Sequence, residues 1–244
     1  LQMILNLNIS DQNIVDLTGL EDCISLEELY CDSNGISILD LHKNSSLKYI
    51  SCNYNPNLMM INIDSLFFLE TVYCENNDSL LEISMRYASI YWSPPNQYPA
   101  SYFLSNNSLV SIDWVGADIY FIDCSFNNLT SLDLTELDID LSLDCSNNNI
   151  SSLVIGNSDI ELLVCSDNFI PTLDISNASD LDMGLDCSNN PLLTYLNVAN
   201  GDNSEWGFNF WAINTPQLDC ITVDNINFAN TTWTVANNNI DPQH

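Results

Sequence analysis

The chain has 244 residues, 46% of them hydrophobic, which is enough for one large domain or two small ones. Only 15% of the residues are charged, and 33 acids stand against three bases, Lys43, Lys48 and Arg86, for a net charge of −30. That balance disfavours nucleic-acid binding and adhesion to anionic lipid, and favours cations, basic proteins or neutral ligands as partners. No apolar run is long enough for a membrane-spanning helix. The start at Leu1, with no initiator Met and no charged leader, reads as a mature or excised segment.

Taken in order, residues 1–25 form an opening row built on Ile9 and Ile14, and repeats occupy 26–223. Their marker is a cysteine recurring at Cys31, Cys52, Cys74, Cys124, Cys145, Cys165 and Cys187, with spacings of 21, 22, 50, 21, 20 and 22. Three residues after each stands an asparagine: Asn34, Asn55, Asn77, Asn127, Asn148, Asn168 and Asn190. Two residues before each stands an apolar side chain, from Leu29 and Ile50 to Leu163 and Leu185. The long gap hides one more row, carried by Leu104, Asn107 and Leu109, and it contains an insertion near 84–100. That insertion holds Tyr87, Tyr91, Trp92 and Tyr98 with Pro94, Pro95 and Pro99, and the prolines forbid a regular helix or a central strand there. Ala212 and Leu218 mark a last row, and 224–244 form a C-terminal cap. The whole is expected to be a single domain over 1–244.

A fixed period of this length with apolar, Cys and Asn positions in register is the mark of a leucine-rich-repeat solenoid. The expected architecture is an α/β-type, right-handed superhelix of about ten rows, with a parallel sheet on its concave face and mostly loop or 3-10 turn on its convex side. Alternation along a strand sends Leu143 and Cys145 inward and Ser142, Asp144 and Ser146 outward. The Asn must turn inward and bond to backbone groups left unpaired by the bend. Inward Cys behaves as a small hydrophobe, so all nine cysteines read as structural thiols. Cys23 and Cys220, roughly 40 Å apart at about 4.8 Å per row, cannot pair.

The wording of the repeats narrows the likeness. Leu143-Asp-Cys-Ser-Asn-Asn148, Leu185-Asp-Cys-Ser-Asn-Asn190 and Ile122-Asp-Cys-Ser-Phe-Asn127 resemble the Cys-containing repeats of secreted and cell-surface leucine-rich-repeat proteins of the Bacteroidetes. Asp16-Leu-Thr-Gly-Leu-Glu21 before Leu26-Glu-Glu-Leu29 is similar to that family's N-terminal segment, and Asn214-Thr-Pro-Gln-Leu-Asp-Cys-Ile-Thr-Val-Asp224 to its closing segment. The resemblance implies export and a binding role without naming a ligand.

Catalytic groups are sparse. His42 and His244 are the only histidines, no glycine-rich phosphate loop is present, and carboxylates are the one abundant reactive type. A carbohydrate-active enzyme using paired carboxylates is the alternative class, and a structural spacer of a larger surface protein is a third. Asp123, Asp144 and Asp186 share one outward position, where like charges repel unless bridged. Calcium is one candidate bridge, at Asp123 and Asp144, but no EF-hand or Gly-Gly-x-Gly-x-Asp spacing accompanies it, and no cofactor is expected. A second column, Asp40, Asp113, Asp133 and Asp174, reads as hydrated turn positions.

Outward positions of the early rows carry Glu28, Tyr30, Asp32, Tyr49, Ser51, Asn53, Thr71, Tyr73 and Glu75. Tyrosines on adjoining rows offer contact area with little rotamer entropy to lose. The three bases also fall in this half, and the insertion with Tyr91 and Trp92 leaves the stack just after it. The sequence therefore predicts a non-enzymatic, monomeric extracellular module. Its expected ligand site for a protein or glycan is concave, around Glu28, Tyr30, Tyr49, Tyr73, Glu75, Tyr91 and Trp92.

Overall fold

In the computed structural model most repeats make two three-residue strands joined by a tight turn, so that one row contributes to two sheets. The structure describes residues 4–90, 99–135, 137–156, 159–201, 203–204 and 209–242, with backbone alone at 138–141. Contacts divide the chain into two compact units, Leu1–Asn128 and Leu129–His244.

The first unit contains β1 (Asn6–Asn8), β2 (Glu28–Tyr30), β3 (Ile38–Asp40), β4 (Tyr49–Ser51), β5 (Met60–Asn62), β6 (Thr71–Tyr73), β7 (Glu82–Ser84), β8 (Ala100–Phe103), β9 (Ser111–Asp113) and β10 (Asp118–Asp123). Its main sheet runs β1-β2-β4-β6-β8-β10 and its second sheet β3-β5-β7-β9, all parallel. In the main sheet Leu7, Leu29, Ile50, Val72, Tyr102 and Ile122 share one register position, and all but Leu7 are buried. In the second sheet Leu39, Ile61, Ile83 and Ile112 share one register position, the first three buried and Ile112 half-buried. Two apolar columns thus meet in one core, which no single row could close by itself.

The second unit repeats the plan with β11 (Ser131–Asp133), β12 (Asp138–Asp144), β13 (Ser152–Val154), β14 (Leu162–Val164), β15 (Thr172–Asp174), β16 (Gly184–Asp186), β17 (Tyr195–Asn197), β18 (Phe210–Trp211) and β19 (Ile221–Thr222). Leu143, Leu163, Leu185 and Phe210 form its main inward column. The chain ends on a short helix, α1 (Ile226–Thr232), capped by the Asn225 side chain, which accepts from the Asn227 and Phe228 amides. Buried Trp233 follows it and packs on Phe210 with centroids 4.4 Å apart, so an aromatic plug covers the final inward column.

Both units are parallel-sheet solenoids with little helix, six rows in the first main sheet and four in the second. One detail of the far side differs from the sequence reading. Where loop and 3-10 turn are expected, short strands form a second ladder, and Asp40, Asp113, Asp133 and Asp174 sit at the ends of those strands. The cause is the apolar pair after each Asn, which spaces two inward side chains by two residues and so holds the segment extended.

The asparagines join row to row. Asn168 donates its amide to the Cys145 carbonyl of the preceding row at 3.0 Å, to Cys165 at 3.2 Å and to Ser166 at 3.1 Å, while its Oδ1 accepts the Ile150 N–H at 2.9 Å. Asn34, Asn127 and Asn190 make the same set in their own rows. Asn107 does so in the row without Cys, donating to Cys74 at 2.7 Å and Leu104 at 2.8 Å. To aim that amide inward the preceding residue takes a left-handed backbone, as at Ser33, Asn76, Asn106, Asn147, Asp167 and Asn189, with φ of 55° to 59°. Tyr54 and Phe126 take it as well, at φ 56° and 53°, although their bulk suits it poorly.

Candidate binding face

The outward side of the first unit's main sheet carries a continuous run of aromatic rings. Tyr30 and Tyr49 have centroids 5.0 Å apart, Tyr49 and Tyr73 5.7 Å, Tyr73 and Phe103 4.6 Å, and Phe103 and Phe121 5.2 Å. Register explains the run. Tyr30, Ser51, Tyr73, Phe103 and Asp123 share one outward position, and Glu28, Tyr49, Thr71, Ser101 and Phe121 share the other. The rings zigzag between these two columns across five rows, and all five are half-buried. A register shift between Ile119 and Phe121 brings Phe121 opposite Ser101 and closes the run.

Of the sequence-predicted site residues, Glu28, Tyr30, Tyr49, Tyr73 and Glu75 lie together on this face. Tyr91 and Trp92 lie outside the described residues, as does Tyr98. At the ends of that insertion, Ser89 accepts the Ala100 N–H on its Oγ at 2.8 Å, and its own N–H donates to Leu66 at 3.0 Å. The Tyr87 ring lies across Gly116, where a Cβ would stand 2.6 Å from it. Sequence reasoning missed Phe103 and Phe121. The residue between inward Tyr102 and Leu104, and the residue before inward Ile122, were the signals available.

The polar groups around the rings are held by one another. Glu28 Oε2 accepts the Tyr30 hydroxyl at 3.0 Å and the Asn6 amide at 2.5 Å. Asp32 Oδ1 accepts the Ser51 hydroxyl and the Asn53 N–H, both at 2.7 Å, and Glu75 Oε1 accepts the Ser105 hydroxyl at 2.8 Å. Lys48 donates to Glu27 at 2.8 Å. That bond holds the Lys48 ammonium above its ordinary range, and the bond to Glu28 does the same for the Tyr30 phenol. Burial, with Tyr73 and Tyr30 beside it, raises Tyr49.

The seven repeat cysteines are fully buried and no disulfide joins any of the nine. Burial pushes the thiols of Cys31, Cys145, Cys165 and Cys187 upward, so they stay protonated and unreactive. Cys220 departs from the packing role assigned to all nine: it is exposed, and Cys23 is half-buried, because both lie outside the Cys-x-x-Asn rows. Ser142 and Ser146, expected outward, are also buried, since neighbouring rows cover such short side chains.

Asp123 spends one oxygen on the Ser125 N–H and hydroxyl, at 2.9 and 2.6 Å, and Asp144 accepts the Ser146 N–H at 2.9 Å. These are turn-closing bonds of the kind Asp makes to its own backbone two residues on. Among the described residues no group of three or more His, Cys, Asp or Glu converges as a metal site. A cleft of about 320 Å³ lies in the first unit beside Asp16, Glu21, Asp40, His42 and Lys43. His42 Nδ1 stands 2.6 Å from Asp40 there, but the lining holds neither Ser nor Cys, and the Thr18 hydroxyl is donated to Asp16.

No protein-family model matches the chain, and no curated protein matches it. Among solved structures it is similar to the functional domain of InlJ from Listeria monocytogenes, which includes a cysteine ladder, at 19% identity and a TM-score of 0.38. That likeness covers 90% of this chain and 62% of the InlJ chain, so this chain spans less than two thirds of its length. A leucine-rich-repeat protein of Leptospira interrogans is similar at 11% identity over 90% of this chain and 84% of its own, with a TM-score of 0.30. The internalin InlF of Listeria monocytogenes is similar at 16% identity over 92% of this chain and 83% of its own, with a TM-score of 0.25.

Proposed function

We propose that this chain is a non-enzymatic extracellular binding module that engages a protein or glycan through the aromatic face of its first unit. The observation that carries this reading is the ring run itself. Five half-exposed aromatics on consecutive rows form a contiguous apolar strip, and strips of that kind on a protein surface mark interaction sites. The rings are rigid, so little side-chain entropy is lost on contact. The surrounding carboxylates are already oriented by Tyr30, Ser51 and Ser105. Export is supported by the repeat wording.

The test is an array of peptides and glycans probed with the wild-type chain and with a Tyr49→Ala, Tyr73→Ala double variant. The reading expects defined ligands for the wild type and their loss in the variant. Ligands retained by the variant would place the site elsewhere, and a chain that binds nothing would be a spacer.

A further inference from the structure

Carboxylates predominate along both edges of the aromatic strip. Glu28 and Glu70 lie toward the N-terminal side of the strands, while Asp32, Glu75 and Asp123 lie toward the C-terminal side. Lys48, the base beside this sheet, is already bonded to Glu27. Glu28, Asp32, Glu75 and Asp123 are each fixed by at least one hydrogen bond from a neighbouring polar group. They are charges held in place along an apolar ribbon.

The ring geometry narrows the ligand further. Tyr73 and Phe103 are stacked with planes 9° apart, and the other neighbours are tilted by 36° to 48° at contact distance. Tyr49, Tyr73 and Phe103 each have a ring on both sides, and the stacked Tyr73 and Phe103 cover each other's facing surfaces. A sugar ring that stacks needs an open aromatic face, and the Tyr73–Phe103 stack closes one face of each of those rings. The aliphatic stem of Lys or Arg needs only apolar surface, with a carboxylate within reach of its head. Five rows at about 4.8 Å each make a strip roughly 20 Å long, the span of about six extended residues.

Resting on the binding face proposed above, we infer that its occupant is a basic, extended polypeptide segment. Its Lys or Arg stems lie along the rings, and their charged heads meet the carboxylates on either side.

Fluorescence anisotropy at ~0.15 M salt tests this with a labelled octapeptide of alternating arginine and serine, its twins with glutamine or glutamate in place of arginine, and a labelled cellohexaose. The arginine peptide is expected to bind at least about tenfold more tightly than the glutamine twin, and the glutamate twin not to bind. A Glu28→Gln, Glu75→Gln pair, and separately the Tyr49→Ala, Tyr73→Ala pair, should each weaken it by roughly fivefold or more. An Asp40→Asn, Glu82→Gln pair removes the same charge from the second sheet and should leave affinity within about twofold. Equal loss in that control pair would reduce the effect to the general field of an acidic protein and overturn the inference. If cellohexaose or the glutamine twin binds with dependence on Tyr49 and Tyr73 while the arginine peptide does not, the ligand class is wrong and the binding face stands. If no probe depends on the strip, the inference falls as well.

Discussion

Tyr73 and Phe103 lie face to face on adjacent rows, with ring centroids 4.6 Å apart and planes 9° from parallel. Both occupy the same outward register position, one on β6 and one on β8, although a long insertion separates their rows in sequence. The stack therefore forms across the joint that carries the insertion and helps to hold it. Replacing each residue by Ala, singly and together, should show a coupling of about 0.5–1.5 kcal/mol in urea unfolding, the range for an aromatic pair beyond its area burial. Additive losses would mean that the rings are neighbours without mutual stabilisation.

Asn168 is the clearest case of a polar side chain that the interior requires. Its amide and carbonyl satisfy backbone groups in two successive rows, all of them buried from water. Asn168→Ala leaves those groups without partners and should cost about 1–3 kcal/mol or more, read as a fall in the urea midpoint. Asn148→Ala should behave alike. An unchanged midpoint would contradict the row-joining role.

Tyr54 and Phe126 point the other way. Both sit in the left-handed region and are 60% and 54% exposed, so each bears backbone strain with little burial to offset it. At the equivalent position of other rows stand Asn76, Asn106, Asn147 and Asn189, a residue type that tolerates this backbone. Tyr54→Asn and Phe126→Asn should each raise stability by about 0.5–1 kcal/mol. A loss of stability would reveal packing by these rings that outweighs the strain.

The thiols separate into two classes by position. Cys220 is exposed and should react first with a thiol reagent in the native state, followed by half-buried Cys23. The seven repeat cysteines should react only on unfolding, since burial shields all of them and also disfavours the thiolate at Cys31, Cys145, Cys165 and Cys187. Mass-spectrometric mapping of the labelled sites checks this. Native-state labelling of Cys145 or Cys165 would mean that the core opens locally.

How much of this was legible beforehand follows from the same chemistry. Cys145 with Asn148 announces a row because a small buried side chain and a backbone-satisfying amide at fixed spacing leave few alternatives. The second ladder was not legible, since Leu39-Asp40-Leu41 alternates over only three residues and reads equally well as turn. On the outward face of the first main sheet, Tyr30, Tyr49 and Tyr73 could be found by counting from their cysteines. Phe103 belongs to the row that has Leu104 in place of Cys, and Phe121 is brought into line by a register shift that no spacing reveals. The cap's covering of Phe210 by Trp233 was equally hidden, because it depends on a turn after α1 and not on any repeat.

The most direct test of the binding face is hydroxyl-radical footprinting of the tyrosines with and without a saturating array-selected ligand. Tyr54 and Tyr195 are exposed and lie off the strip, so they serve as internal controls. The account predicts that oxidation of Tyr30, Tyr49 and Tyr73 slows by roughly threefold or more while Tyr54 and Tyr195 are unchanged, as expected where aromatic anchors are desolvated. Protection of Tyr54 or Tyr195 with no change at Tyr49 and Tyr73 would contradict it.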